Sequence, residues 1–172
     1  MGRTGLISIL LILVLSTCKE GHKISKENIK EIAMSASFST FIEDAWNDRN
    51  MDSLRAVSVE NYIRNLNGIQ VAKSQNEVEA NMNIFFNGFP DSKLVVDDIV
   101  IKGNRLFAHW TFTGTNTGIF GEVAPTGKNA TLSGYSNIHF NSDGKITQED
   151  VYYNELQLLQ QLGYSLIPPV VE

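Results

Sequence analysis

Residues 129–154, with the sequence NATLSGYSNIHFNSDGKITQEDVYYN, contain two predicted strands and the turn between them. Apolar and polar side chains alternate through Asn129–Asn141 and again through Lys145–Asn154, which is the period of a strand with two different faces. The run 141–145, NSDGK, suits a three-residue hairpin loop with Gly144 in the left-handed conformation. This stretch therefore predicts an antiparallel hairpin near the end of the chain.

The register of this hairpin decides which side chains share a face. With a three-residue loop, Asn137 lies opposite Glu149. A two-residue Asp-Gly loop would shift the pairing by one residue and separate them. The other expected members of the Glu149 face are Ser133, Tyr135, His139, Thr147, Val151 and Tyr153.

Two further strands precede the hairpin, Lys93–Lys102 and Arg105–Asn116, joined by a tight turn at Gly103-Asn104. The second strand has an apolar face that includes Trp110 and a mixed face that carries Phe107, His109, Thr111 and Thr113. A sheet with large apolar residues on both sides is usually covered on both. We expect helices to cover one face and a second copy of the chain the other, which makes a homodimer.

Helices are predicted before and after these strands. Apolar residues recur at three- and four-residue spacing over 26–47, and a short helix is expected over Met51–Val57. The run SQNE at 74–77 is a capping box that starts a third helix, which ends at Gly88 and Pro90. A last helix is expected over Glu155–Leu162. Helices followed by a meandering antiparallel sheet predict an α+β domain.

The composition excludes several classes of protein. The 172 residues suit one domain, and 14 Lys and Arg against 19 Asp and Glu argue against binding to nucleic acid. Four prolines and 9% aromatic residues argue against a disordered or collagen-like chain. We therefore expect one folded, mildly acidic domain.

The first eighteen residues, MGRTGLISILLILVLSTC, predict a signal peptide. The apolar run of ten residues would rise about 15 Å as a helix, roughly half the hydrocarbon thickness of a bilayer. It ends at a lipoprotein-type cleavage box, so we expect Cys18 to be lipidated and the protein to be anchored in a bacterial cell envelope. The alternatives are an uncleaved anchor or an ordinary signal followed by a secreted or periplasmic protein. Residues 19–25 are then a tether, 26–165 the domain and 166–172 a tail.

Several motifs together resemble the SnoaL-like polyketide cyclase, or ester cyclase, family over about residues 36–165. They occur in the order of that family, and together they are specific for it. The motifs are WND at 46–48, YIRN at 62–65, WTFTGTNTG at 110–118, PTGK at 125–128, DGKI at 143–146 and LLQQLG at 158–163.

The resemblance implies a nuclear transport factor 2-like fold, also described as a cystatin-like α+β barrel. In that fold a curved antiparallel sheet wraps around N-terminal helices and forms a conical pocket, and the family is often dimeric. Characterised cyclases carry His-x-Asp on the last strand, and the Asp is the general base. The corresponding positions here are Glu149 and Val151, and two further family positions, an Asp and a His, are Asn154 and Asn65.

Glu149 is the candidate for a replacement base, because burial raises the pKa of a carboxyl group. The alternative to a catalytic role is an ordinary carboxylate that is solvated or paired with Lys or Arg. His109 is a second catalytic candidate, or else a structural histidine. We expect no cofactor and no metal site, since no histidines have the spacing of metal ligands and Cys18 is the single cysteine. The expected ligand-binding residues are Phe107, Thr111, Tyr135, Asn137, Val151 and Tyr153.

Three functions remain open at this stage. The first is a non-catalytic protein that binds a small hydrophobic molecule and has not kept the cyclase base. The second is a cyclase- or isomerase-type enzyme that uses Glu149 on an enolisable carbonyl compound. The third is a structural dimer whose pocket is filled by aromatic side chains. A pocket of a few hundred cubic ångströms lined by Glu149 would count against the third.

Overall fold

A computed structural model of the protein describes residues 26–168. The predicted signal peptide, the Cys18 lipidation site, the tether and the end of the tail lie outside these residues. In chain order the elements are α1 (Lys26–Thr40) continued by a π-helix (Phe41–Asn47), α2 (Met51–Val57), β1 (Ser58–Leu66), β2 (Ile69–Ala72), α3 (Gln75–Gly88), β3 (Lys93–Lys102), β4 (Arg105–Thr115), β5 (Asn129–Phe140), β6 (Ile146–Tyr153) and α4 (Glu155–Leu162).

The helices begin where local capping signals predict them. Ser74 accepts a hydrogen bond from the backbone N–H of Glu77, and the Glu77 carboxylate accepts one from the backbone N–H of Lys73. Asn154 caps α4 in the same way, and Gly163 ends that helix in the left-handed conformation with φ of 106°. These side chains satisfy the N–H groups that a helix start leaves free.

The six strands form one curved, open sheet in the order β2-β1-β6-β5-β4-β3. Four neighbouring pairs are antiparallel, including the three expected among β3–β6, but β1 runs parallel to β6, so the sheet is mixed. The β1–β2 hairpin was not predicted. Its turn is Asn67-Gly68, where both residues have positive φ, a combination that hairpins with two-residue loops favour.

The expected pairing of Asn137 with Glu149 is wrong. The turn itself is as predicted, with Gly144 at φ 76° and the N–H of Asn141 donating to the carbonyl of Lys145. One step beyond it, however, a bulge opposite His139 and Phe140 adds an extra residue to β6, Thr147. Because side chains alternate along a strand, this single insertion moves Glu149 to the opposite face from the one expected. Asn137 faces Asp150 instead.

The helices cover one face of the sheet, which we call the inner face. The core lies between the helices and this face. Its largest fully buried side chains include Phe41, Tyr62, Met82, Phe89 and Leu106. Large side chains on the other face, the outer face, are exposed; Tyr135 retains 61% of its accessible surface and Phe107 42%. Within residues 26–168, no helix is both long and apolar enough to cross a lipid bilayer.

Candidate functional site

A cavity lies between the helices and the inner face of the sheet. Its volume is about 30 Å³, which is room for about one or two water molecules. Its walls are mainly aliphatic and aromatic. The lining residues are Ile42, Trp46, Arg64, Phe85, Leu94, Trp110, Phe112, Leu132, Ser136, Glu149, Val151 and Tyr153.

Glu149 is one of two charged residues in this lining. It is 4% exposed, and each of its carboxylate oxygens accepts one hydrogen bond. The Tyr62 hydroxyl donates to Oε2 over 3.1 Å, and the Ser136 hydroxyl donates to Oε1 over 3.0 Å. The indole N–H of Trp110 donates in turn to Ser136 Oγ over 3.1 Å. These bonds hold the carboxylate in one orientation at the cavity wall.

Arg64 supplies the opposite charge. The parallel pairing of β1 with β6 places it directly beside Glu149. It is 5% exposed, its Nε lies 3.6 Å from Glu149 Oε2, and its guanidinium carbon lies 5.2 Å from the centre of the Trp46 ring. The site is therefore a buried ion pair in an apolar cavity, with the guanidinium resting on an aromatic face.

Two tyrosine hydroxyls in or beside the cavity are held in the protonated form. Burial and the negative charge of Glu149 raise the pKa of Tyr62 well above its ordinary value. Burial, with a smaller effect from Glu155, raises the pKa of Tyr153 to about 12. Both side chains are therefore hydrogen-bond donors at neutral pH.

Only two of the residues expected to bind ligand line the cavity. Val151 and Tyr153 line the cavity with Glu149. By contrast, Phe107, His109, Thr111, Tyr135 and Asn137 lie on the outer face and do not line the cavity, because the bulge reverses their relation to Glu149. The predicted placement in the pocket is therefore wrong for these five, of which His109 was the second catalytic candidate.

The outer face has polar contacts of its own. The His109 ring lies 4.7 Å from that of Tyr135, and His109 Nδ1 lies 3.3 Å from Asp97 Oδ2. Asp150 accepts hydrogen bonds from Asn65, Gln148 and Asn137. Burial alone would raise the pKa of Asp150, but these hydrogen bonds and the electrostatic effect of His139 together outweigh it and lower the pKa from its ordinary value.

Sequence reasoning missed Tyr62, Arg64 and Ser136 as members of the site. A signal for the first two was present, since residues 58–66 precede Asn67-Gly68, a strong hairpin dipeptide. A strand there puts Tyr62 and Arg64 on one face, two residues apart. Nothing local indicates that β1 lies beside β6. Within residues 26–168, no cluster of three or more His, Cys, Asp or Glu side chains could hold a metal ion.

An α+β fold with a curved mixed sheet, N-terminal helices and a cavity between them is the nuclear transport factor 2-like architecture. Residues 36–162 match the family model of the SnoaL-like polyketide cyclases, and the chain belongs to this family. Glu149 and Val151, the two residues for which the sequence resemblance predicted the positions of the His-x-Asp motif, both line the cavity.

Solved structures support the same fold. A protein from Jannaschia sp. CCS1 assigned as a SnoaL-like polyketide cyclase is 18% identical with a TM-score of 0.71, over 80% of this chain and 94% of that chain. A protein from Streptomyces galilaeus assigned as a hydroxylase is 24% identical with a TM-score of 0.67, over 77% and 96%. An NTF2-like protein of unknown function from Burkholderia pseudomallei is 15% identical with a TM-score of 0.64, over 77% and 98%. No curated protein matches the chain.

Proposed function

We propose that the domain binds a small, mainly apolar molecule in the cavity lined by Glu149 and Arg64. The observation that carries this proposal is the buried ion pair itself, set into a wall of aromatic and aliphatic side chains. Replacing such a pair with apolar side chains often stabilises a fold, so an ion pair that faces a cavity favours a functional role. The cavity of about 30 Å³ is smaller than the few hundred cubic ångströms that would count against a filled pocket, so a ligand has to displace side chains of the wall as it enters.

The two tryptophans of the chain, Trp46 and Trp110, both line the cavity and provide a direct test. In ¹⁵N-labelled protein, their indole N–H signals should shift when a small aromatic molecule such as ethylbenzene or acetophenone enters. Leu132→Phe, which fills space at the wall, should weaken binding, whereas Tyr152→Phe on the outer face should not. Indole signals that stay unchanged with every member of a panel of such molecules would contradict the proposal.

A second candidate function is proton abstraction by Glu149. The observation that favours it is a carboxylate held beside a cationic guanidinium in an apolar cavity. Glu149 would take a proton from the carbon next to a carbonyl group, and the C–H electrons would move onto the carbonyl oxygen as an enolate. Returning the proton to carbon regenerates the ketone or its isomer.

This reaction can be followed without knowing the natural substrate. In D₂O the carboxylic acid exchanges its proton with solvent, so an active protein should speed deuterium incorporation into the methyl group of acetophenone. Glu149→Gln should remove that acceleration. An exchange rate equal to that of buffer, for a ketone that demonstrably occupies the cavity, would leave binding as the function.

The proposal extends to the site of action and the assembly. The N-terminal sequence supports a lipid anchor at Cys18 in a bacterial envelope, and radiolabelled fatty acid should enter the wild-type chain but not Cys18→Ala.

The exposed aromatic side chains of the outer face support a homodimer formed through that face.

A further inference from the structure

The cavity lined by Glu149 is too small for a bound organic molecule, so part of its wall has to move when a ligand enters. Its volume is about 30 Å³. A cavity that holds a molecule the size of benzene measures about 150 Å³. Protein interiors are close-packed and resist compression, so the missing space has to come from a side chain that leaves its place. The exposure of the lining residues indicates which side chain can do so.

Two of the lining residues reach the surface. Among residues 26–168, ten of the twelve side chains that line the cavity are buried, whereas Phe85 on α3 and Tyr153 at the end of β6 are half-buried. The two rings lie edge to face, with their centres 6.4 Å apart. The cavity is therefore separated from solvent by these two rings.

The Phe85 ring closes the cavity at this point. It lies edge to face against the rings of Phe120, Phe112, Trp46 and Tyr153, with distances between ring centres of 5.0, 5.9, 6.1 and 6.4 Å. Such contacts between aromatic rings favour the closed position over a position in water. When the ring leaves, it opens a space of its own shape that is bordered by aromatic side chains.

The walls on either side of this ring are held in place by hydrogen bonds. On one side, the Asn47 side chain donates to the carbonyl of Leu94 over 3.0 Å and accepts from its N–H over 2.9 Å. On the other side, the loop that follows β4 is bonded to α3, because the Gly118 N–H donates to the Gly88 carbonyl over 3.2 Å. Side chains at the surface change rotamer far faster than backbone segments move. The ring of Phe85 can therefore turn while the backbone around it keeps its place.

We infer that Phe85 is the gate of the cavity. In the closed position, which is the one in the structure, its ring separates the cavity from solvent. In the open position the ring has turned outward, and a small apolar ligand enters between α3 and the end of β6 and occupies the space that the ring has left. The size of this space limits the size of the ligand, so Phe85 also determines specificity. This inference rests on the proposed function, because it names the entry route of that same cavity.

The test compares the rate of ligand entry in the wild-type chain and in variants. Ethylbenzene is the probe, and exchange between the free and bound indole signals of Trp46 and Trp110 in the ¹⁵N-labelled protein gives the association rate constant. We expect Phe85→Ala to raise this constant about tenfold, since an open state populated to about a tenth slows association by that factor. Ile84→Ala, at the exposed neighbouring position of α3, is the matched control and should leave the constant unchanged.

A second comparison separates the opening of the gate from the enlargement of the cavity. Leu132→Ala also enlarges the cavity, but Leu132 is only 2% exposed and does not border the surface. Its affinity for ethylbenzene should rise through slower dissociation, while the association rate constant stays close to that of the wild type. If Phe85→Ala does not fold, Phe85→Leu keeps an apolar side chain in place and should raise the association rate constant by a smaller factor.

The outcomes distinguish failure of the gate from failure of the proposed function. Equal acceleration in Phe85→Ala and Leu132→Ala would mean that added volume alone speeds entry, and this would overturn the gate. An association rate constant that is the same in the Phe85 variants and the wild type would also overturn it. Both results leave the proposed function in place, because the probe still binds. No binding of ethylbenzene or of any other small aromatic probe to the wild-type chain would overturn the gate and the proposed function together.

Discussion

Tyr62 and Glu149 lie 87 positions apart in the sequence, yet the Tyr62 hydroxyl donates a hydrogen bond to Glu149 Oε2 over 3.1 Å. The contact exists because β1 and β6 pair in parallel, which brings residues near 64 and near 149 side by side. The same pairing brings Arg64 to Glu149. One strand pairing thus assembles most of the polar part of the cavity.

Replacing Tyr62 with Phe removes a hydrogen bond to a buried carboxylate without changing the shape of the ring. We expect the free energy of unfolding to fall by about 1.5–3 kcal/mol, as for hydrogen bonds to charged groups. Urea denaturation measures this loss. Tyr152→Phe at the half-exposed outer face is the control and should stay within about 0.5 kcal/mol of wild type. Equal stability of Tyr62→Phe and wild type would contradict the role of this bond.

The raised pKa values of Tyr62 and Tyr153 predict a loss of stability in alkali. In the unfolded chain both hydroxyls lose their protons near pH 10, whereas the folded chain keeps them to higher pH, to about pH 12 for Tyr153. Their contribution is therefore fully present below about pH 10 and is lost as the pH rises toward the folded pKa values. Urea denaturation at several alkaline pH values should show a steep fall that is shallower in Tyr153→Phe. An unchanged slope in that variant would contradict this prediction.

Glu149→Gln leaves the guanidinium of Arg64 buried without a counter-charge. Breaking a buried ion pair by removing one partner costs about 3–5 kcal/mol, and we expect a loss of unfolding free energy in that range. Adding Arg64→Met should recover part of it, because no lone charge remains. A double-mutant cycle measures the coupling, and additive losses would mean that the two residues do not stabilise each other.

Gly134 lies beneath the ring of Trp110, where an added Cβ would fall 2.3 Å from ring carbons. Gly134→Ala should therefore displace the indole, disturb its hydrogen bond to Ser136 and destabilise the fold by about 1–3 kcal/mol. Denaturation curves and a shift of the Trp110 indole signal check this. Ser133→Ala, at the exposed neighbouring position, should change neither quantity.

A homodimer that uses the outer face predicts a specific surface variant. Phe107→Glu places a charge among exposed apolar side chains of β4 and should convert dimer to monomer in sedimentation experiments. Ile119→Glu, in the exposed loop after β4, is the matched control and should leave the assembly unchanged. A wild-type protein that is monomeric at micromolar concentration would contradict the proposed assembly.

The sequence by itself determined the parts of this protein that depend on neighbours along the chain. Local signals predicted the bounds of α3, β3–β6 and α4 closely. These signals are the capping residues Ser74 and Asn154, the left-handed Gly144 and the change from helical to strand periodicity after Pro90. The ordered motifs placed the chain in its family, which the match over residues 36–162 confirms. Each of these signals acts within a few residues, so a single sequence carries it.

The composition of the site was decided by tertiary structure. A bulge of one residue at Thr147 reversed the face of Glu149, and no local pattern fixes a bulge, because both registers give plausible alternation. Arg64 and Tyr62 reached Glu149 only through a parallel pairing between strands that are about half the chain apart. Such a pairing depends on how all six strands and the helices pack together, and that information is not local to any segment. The buried ion pair is therefore a property of the assembled sheet.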